Sequence, residues 1–182
     1  ATTAQQEAVL EAMMEKVVGL WAPCIFDVRP YKDVKDLYIL GDTSEVVANL
    51  DDSLVTVNTV LSSRYVTGIR EMVESWRHRL NIMQETLDEW LNVQRAWMYL
   101  ESIFKAADIQ RQLPNEYKDF EKINKMWLDL MRKTNADPTA LKQATAPKLK
   151  DNLEKDIVPE QSSYKVKSNK IIIKLADTNG FY

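Results

Sequence analysis

"DEWLNVQRAWMYLESIF", residues Asp88–Phe104, is the stretch whose reading decides the fold. Trp90 and Trp97 stand seven residues apart, and the same step reaches Met83 and Trp76 in one direction and Phe104 in the other. Seven residues make close to two helical turns, so these five side chains share one side of an α-helix. Neither proline nor glycine occurs from Ile69 to Ala107, and Leu80, Leu87, Leu91 and Leu100 join the stripe at steps of three and four. The spacing predicts one unbroken helix of about ten or eleven turns, well above the common globular length.

A straight helix falls behind a seven-residue repeat by about 20° per heptad. The Trp76–Phe104 column therefore drifts roughly 80° around the helix over four heptads. The neighbouring column is expected to turn out of the core, since Leu80 and Leu87 give way to Gln94 and Glu101. Val93 and Leu100 appear on the other flank. A stripe that wraps in this way suits a rod touching successive neighbours along its length.

Indole groups at such spacing also occur in sugar platforms and base-stacking surfaces, which need exposed rings beside polar or basic groups. Here the rings share a face with leucine and methionine, so burial is the expectation. Trp76, Leu80, Met83, Trp90, Trp97, Leu100, Phe104 and, on a later helix, Trp127 are read as structural packing residues.

Working outward, Thr3 and Gln6 have the spacing of a capping box for a helix over about 3–21, with Val9, Leu10, Met13, Met14, Val17 and Leu20 apolar. Gly19 weakens its last turn and Pro23 ends it. "CIFDVRPYKDVKDLYIL" then holds two short β-prone runs, Ile25-Phe26 and Leu37–Leu40, around a proline-containing turn: a small hairpin near 24–40. Thr43 or Ser44 caps a helix running to about Leu61, with Val46, Val47, Leu50, Leu54, Val57 and Leu61 apolar.

Past the long helix, Pro114 is a stop and Asn115 a cap for a helix to about Arg132, which carries Tyr117, Phe120, Ile123, Trp127, Leu130 and Met131. Asp137-Pro138 and Pro147 mark turns around a short helical piece at 139–144, and 148–155 can add another turn or two. From residue 156 the composition changes. "SSYKVKSNKIIIKLAD" is β-branched, alternating and punctuated by Lys165, Lys167, Lys170 and Lys174, as one or two strands with a guarded edge would be. The expected fold is mainly α: an elongated helical bundle built on one long helix, with the small hairpin and one or two C-terminal strands. It divides into a helical region, 1–155, and a β-prone tail, 156–182.

The 182 residues include 24 Lys+Arg against 27 Asp+Glu, a net charge of −3 that leaves no footprint for nucleic acid. No run of 18 apolar residues implies a membrane span. The N-terminal stretch carries Glu7 and Glu11 and lacks a basic start, so it does not read as a signal peptide. Four glycines form no phosphate-binding loop, and one histidine with one cysteine cannot assemble the common zinc sets. Cys24 is read as a small buried hydrophobe and, as a lone cysteine, points to a reducing compartment. Asp51 and Asp52 point about 100° apart on a helix and are read as a solvated face. His78 lies off the stripe and is expected to be exposed. No catalytic residue, metal or cofactor is expected.

The order of residues resembles the linker region of a dynein heavy chain of the axonemal kind. "ILGDTSEVVANLDDSLVTVNTVLSSRYV", "VESWRHRLNIMQETLDEWLNVQRAWMYLESIF", "DIQRQLPNEYKDFEKINKMW" and "ATAPKLKDNLEK" carry the resemblance, over residues 5–153. It implies an α-helical mechanical element that joins the tail to the ring of ATPase modules and swings during the ATP cycle. The nucleotide sites of such motors lie in modules that this sequence does not contain, and no catalytic residue carries over. Trp76, Leu80, Trp90, Gln94, Trp97, Tyr99, Leu100, Phe104 and Pro114 match its helix-packing pattern. Expected partners are the ATPase ring of the same heavy chain and other dynein subunits, with no nucleic acid and no membrane. The expected setting is the cytoplasm, the cytoskeleton and the ciliary axoneme.

The resemblance stops near Asp156. Residues 157–176 are similar instead to the closing strand of p23-like co-chaperone domains. A second class of function follows, a helical adaptor that recruits a partner through C-terminal strands. In either class an incomplete bundle leaves apolar faces uncovered, which predicts oligomers or a partner.

Overall fold

The computed structural model describes residues 2–156. The one or two strands expected in the tail, 156–182, lie outside the described residues beyond Asp156. Helix α1 spans Thr3–Trp21 and is followed by strands β1, Val28–Pro30, and β2, Tyr38–Leu40. Helix α2 spans Ser44–Leu61, and a 3-10 turn at Thr67–Ile69 leads into the long helix α3, Arg70–Phe104. Helices α4, Ala107–Gln112, α5, Pro114–Ala136, α6, Ala140–Ala144, and α7, Leu149–Asp156, complete the described chain. The fold is mainly α with one antiparallel hairpin, as the periodicity predicts.

Several boundaries differ from expectation for local reasons. The doublets Thr2-Thr3 and Gln5-Gln6 offer two capping boxes, and the chain uses the earlier one. The Thr2 hydroxyl accepts from Gln5 N at 3.3 Å, and Thr2 N donates to Gln5 Oε1 at 3.0 Å. At α2 neither Thr43 nor Ser44 supplies a side-chain cap; Asp42 Oδ1 accepts from Ser44 N at 2.9 Å instead. Val28–Pro30 forms the first strand, starting three residues later than expected, because Ile25 is occupied by a bridge to Thr139. In that bridge Phe26 N donates to Pro138 O at 2.8 Å and Ala140 N to Cys24 O at 3.1 Å.

Helix α3 has 35 residues, about 50 Å at ~1.5 Å per residue, and ends at Phe104 rather than Ala107. Ala106 is extended, and Gln110 Nε2 donates to Phe104 O at 2.7 Å, satisfying a carbonyl that the helix would otherwise strand. Asn115 is not a cap. Pro114 occupies the first turn of α5, where its missing N–H costs nothing, and Leu113 precedes it without a side-chain cap.

One core runs through the chain, and α3 is its axis. It packs against α2, α4, α5, α6, α7 and β2. Leu80, Met83, Leu87, Trp90, Val93, Trp97, Leu100 and Phe104 are all buried along it. On α2, Val46, Leu50 and Val57 are buried as expected, whereas Val47 is exposed and Val60 and Ser53 take places in the core. Ser53 is tolerated there because its hydroxyl accepts from Trp21 Nε1 at 3.0 Å.

The turn between α5 and α6 is held by one carboxylate. Asp137 Oδ1 accepts from the Thr139 hydroxyl at 2.7 Å and Thr139 N at 3.2 Å, and Oδ2 from Lys142 Nζ at 2.7 Å. Lys142 and then Thr139 lower its pKa to about 2, against about 3.9 for an unperturbed aspartate. A depressed pKa contributes stability above the unfolded value that is lost as pH falls through the folded one. Asp137→Asn is therefore expected to lower the urea midpoint at pH 7, with the gap to the unmodified chain closing between pH 4 and pH 2. A gap that does not change with pH contradicts the assignment.

Candidate functional site

Four side chains at steps of four, three and four face the hairpin from α3: Trp90, Gln94, Trp97 and Glu101. Each grips a different point of the chain between Phe26 and Leu40. Phe26 meets Trp90 edge-on with ring centroids 5.2 Å apart, and Tyr31 meets Trp97 in the same way at 5.1 Å. Lys32 Nζ lies 3.0 Å from Glu101 Oε2 and 5.0 Å from the Tyr31 ring centre. The hydrogen bond to Glu101 raises the Lys32 pKa, and Lys32 itself holds a left-handed backbone, φ 54°. The hairpin loop is thereby tied to the last turns of α3.

Gln94 makes the tightest of these contacts. Its Oε1 accepts from Leu40 N at 2.7 Å, and its Nε2 donates to Leu40 O at 2.8 Å. The register explains why both groups are available. Tyr31 N bonds to Leu37 O and Gly41 N to Asp27 O, so the Val28–Leu40 and Pro30–Tyr38 pairs do not hydrogen-bond to each other. The backbone groups of Leu40 and Tyr38 consequently point away from β1. Gln94 takes both groups of Leu40, and Trp127 Nε1 from α5 donates to Tyr38 O at 3.2 Å. Two side chains do what a third strand would do at this edge.

Trp127 also stacks on Trp97, with centroids 5.4 Å apart and planes 20° apart. Trp97 Nε1 donates to Asn124 Oδ1 at 2.9 Å. Trp97 is thus held between Tyr31 of the hairpin loop and Trp127 of α5. One level further along, Phe104 stacks on Phe120 at 5.4 Å and lies 5.7 Å from Tyr117. Trp90 is the exception among the buried indoles. Its Nε1, like Thr86 Oγ1 one turn earlier, is buried with no partner among the described residues, and nothing in the structure explains either.

Of the expected packing residues, Leu80, Met83, Trp90, Trp97, Leu100, Phe104 and Trp127 lie in the core. Trp76 does not. It is half-buried at the margin, with the Arg79 guanidinium 4.6 Å over its ring. Cation–π contact covers what packing leaves open there. Tyr99 is 40% exposed. The expected exit of Gln94 from the core is overturned, since Gln94 is 8% exposed. Drift of the heptad column was offset by a sheet edge that needed an amide. A neutral amide between Trp90 and Trp97, opposite two very short strands, was the available signal.

The remaining candidates carry no chemistry. His78, Asp51 and Asp52 are exposed. Burial pushes the Cys24 thiol up, although Asn49 Nδ2 donates to its sulfur at 3.4 Å, so the thiol stays protonated. Among the described residues no cluster of His, Cys, Asp or Glu could hold a metal ion, and no helix is long and apolar enough to cross a membrane.

Comparison with known proteins gives this architecture its place. The chain matches the family described as dynein heavy chain, N-terminal region 2, over residues 1–157. The chain belongs to the dynein heavy chain family. It is 46% identical over 151 residues to dynein axonemal heavy chain 6 of Homo sapiens, covering 83% of this chain and 4% of that protein. It is 35% identical over 153 residues to dynein axonemal heavy chain 1 of Mus musculus, and 36% identical over 153 residues to dynein axonemal heavy chain 2 of Homo sapiens. Those two matches each cover 84% of this chain and 4% and 3% of the respective relatives. This dynein segment therefore spans only a few per cent of the curated relatives it matches.

Within the dynein segment the Gln94–Leu40 pair is expected to outweigh the surface contacts around it. Gln94→Leu strands two backbone groups, at about 1–3 kcal/mol each, so a loss of about 2–6 kcal/mol is expected in urea unfolding. Lys32→Ala removes a partly exposed, solvent-screened ion pair and is expected to cost much less. Equal losses from the two substitutions contradict this ranking.

Proposed function

We propose that this segment is part of the linker of an axonemal dynein heavy chain, a non-enzymatic mechanical element that passes ATP-driven conformational change from the ATPase ring to the tail. The observation that carries the proposal is the clamp. A 35-residue helix is bound to a hairpin and to α5 through side chains on successive turns. Load applied at either end of α3 must shear stacked rings and a paired amide before the elements slide. Exposed ion pairs alone would yield far more easily.

The ring of the same heavy chain and other dynein components are the proposed partners, in the ciliary axoneme. The similarity to axonemal dynein heavy chains supports that setting. The change of composition at residue 156 is the proposed boundary between the linker-like region and a separate tail.

The test is made in the intact heavy chain that carries this segment. Gln94→Leu combined with Trp97→Ala is expected to leave ATP turnover within about twofold and to slow microtubule gliding severalfold, because the chemistry lies elsewhere and the transmission is loosened. Gliding that survives a clamp shown to be open by amide exchange contradicts the mechanical reading. ATP turnover lost in proportion to gliding does so as well.

A further inference from the structure

A concavity lies away from the clamp. A groove of about 450 Å³ runs between α5 and the α6–α7 corner, within the range of about 300–1,000 Å³ typical of binding sites. Its wall is apolar where Met126, Leu130 and Leu149 line it, and Lys122, Lys125 and Lys133 stand along one side of α5. All three lysines are exposed, and none has an ion-pair partner among the described residues. Asp129, the one carboxylate lining the groove, sits 3.8 Å from Arg132 Nη1. The groove is positive on a chain whose net charge is −3.

Gln143 lines the same groove and is 2% exposed. Its backbone is satisfied, because its N–H donates to Thr139 O at 3.0 Å and its carbonyl accepts from Ala146 N at 3.3 Å. Its side-chain amide has no hydrogen-bond partner among the described residues. Neither of its amide atoms is a buried unpaired group, those being Thr86 Oγ1 and Trp90 Nε1 among the described residues, so the amide borders the groove. Gln94 shows how such an amide is used in this molecule: it takes both backbone groups of one extended residue.

We propose that the groove docks an extended, acidic segment of a partner protein, with the Gln143 amide paired to its main chain and the α5 lysines to its carboxylates. The dimensions agree. Lys122 to Lys133 covers about 16 Å of helix axis at ~1.5 Å per residue, which an extended chain spans in about five residues at ~3.3 Å each. Side chains of such a segment alternate, so carboxylates at every second position face the lysines while apolar neighbours face Met126, Leu130 and Leu149. The chain's own tail is the wrong charge for this role, since Lys165, Lys167, Lys170 and Lys174 carry the same sign as the groove.

The test is fluorescence anisotropy on the full chain with two labelled peptides, one of four Glu-Val repeats and one of four Lys-Val repeats. The Glu-Val peptide is expected to bind, more weakly as salt rises from 50 to 300 mM, and the Lys-Val peptide not to bind. Lys122→Glu with Lys125→Glu, both at exposed positions that cannot disturb the core, is expected to weaken binding by at least about tenfold. Gln143→Leu is expected to weaken it by about three- to tenfold without changing the salt dependence. Absent binding, binding indifferent to these substitutions, or equal displacement by heparin overturns the proposal. So do nuclear Overhauser contacts from the Gln143 amide to residues 157–182, which would make the tail the occupant. None of these outcomes bears on the linker reading, whose test is gliding by the intact motor.

Discussion

Leu40 has one N–H and one C=O that point away from β1, the only strand beside it among the described residues, and the rest of the architecture depends on where those two groups go. A hairpin of two three-residue strands does not hold its shape in water by itself. Its open edge must be paired or wet. Gln94 pairs it from the middle of α3, and Trp127 adds Tyr38 from α5. The consequence is geometric. The hairpin cannot leave α3 without stranding backbone groups, and α5 cannot slide along α3 without unstacking Trp127 from Trp97.

Around that hydrogen-bonded centre the aromatic rings set the stiffness. Each buried aromatic removes about 150–250 Å² from water, and ring pairs add about 0.5–1.5 kcal/mol beyond that area. The pairs Phe26–Trp90, Tyr31–Trp97, Trp97–Trp127 and Phe104–Phe120 occupy successive levels along α3. Interactions spread along a helix in this way resist bending and sliding together. The peripheral ion pairs, such as Lys150–Glu85 at 2.6 Å, sit at exposed positions and trim the surface rather than hold it. This packing belongs to a segment of a dynein heavy chain family member. Its sites of grip are packing residues, and no constellation among the described residues is arranged for chemistry.

Much of this was legible in the sequence, because a 3.6-residue period in large apolar side chains has few other meanings. Trp90, Trp97 and Phe104 locate the core of α3, and Pro114 locates the start of α5. Local periodicity failed where a non-local group decided the outcome. Gln94 stays in the core because a strand edge fifty-four residues earlier in the chain needs its amide. Ile25 is kept out of β1 by Thr139, more than a hundred residues later. Trp76 sits half-buried at the margin, under the Arg79 guanidinium, where the spacing alone predicts burial. The groove beside Gln143 was not legible at all, since its three lysines look like an ordinary solvated helix face until α6 and α7 are folded against it.

The central claim is that the hairpin and the long helix open as one unit. Native-state hydrogen exchange in graded urea tests it most directly, by comparing the amide of Leu40 with those of Val93 and Trp97 in the middle of α3. Opening free energies for all three that converge as urea rises, with Leu40 protected to within about 1 kcal/mol of the helix amides, is the predicted result. Leu40 exchanging like a frayed loop, independently of urea and of α3, would contradict the account.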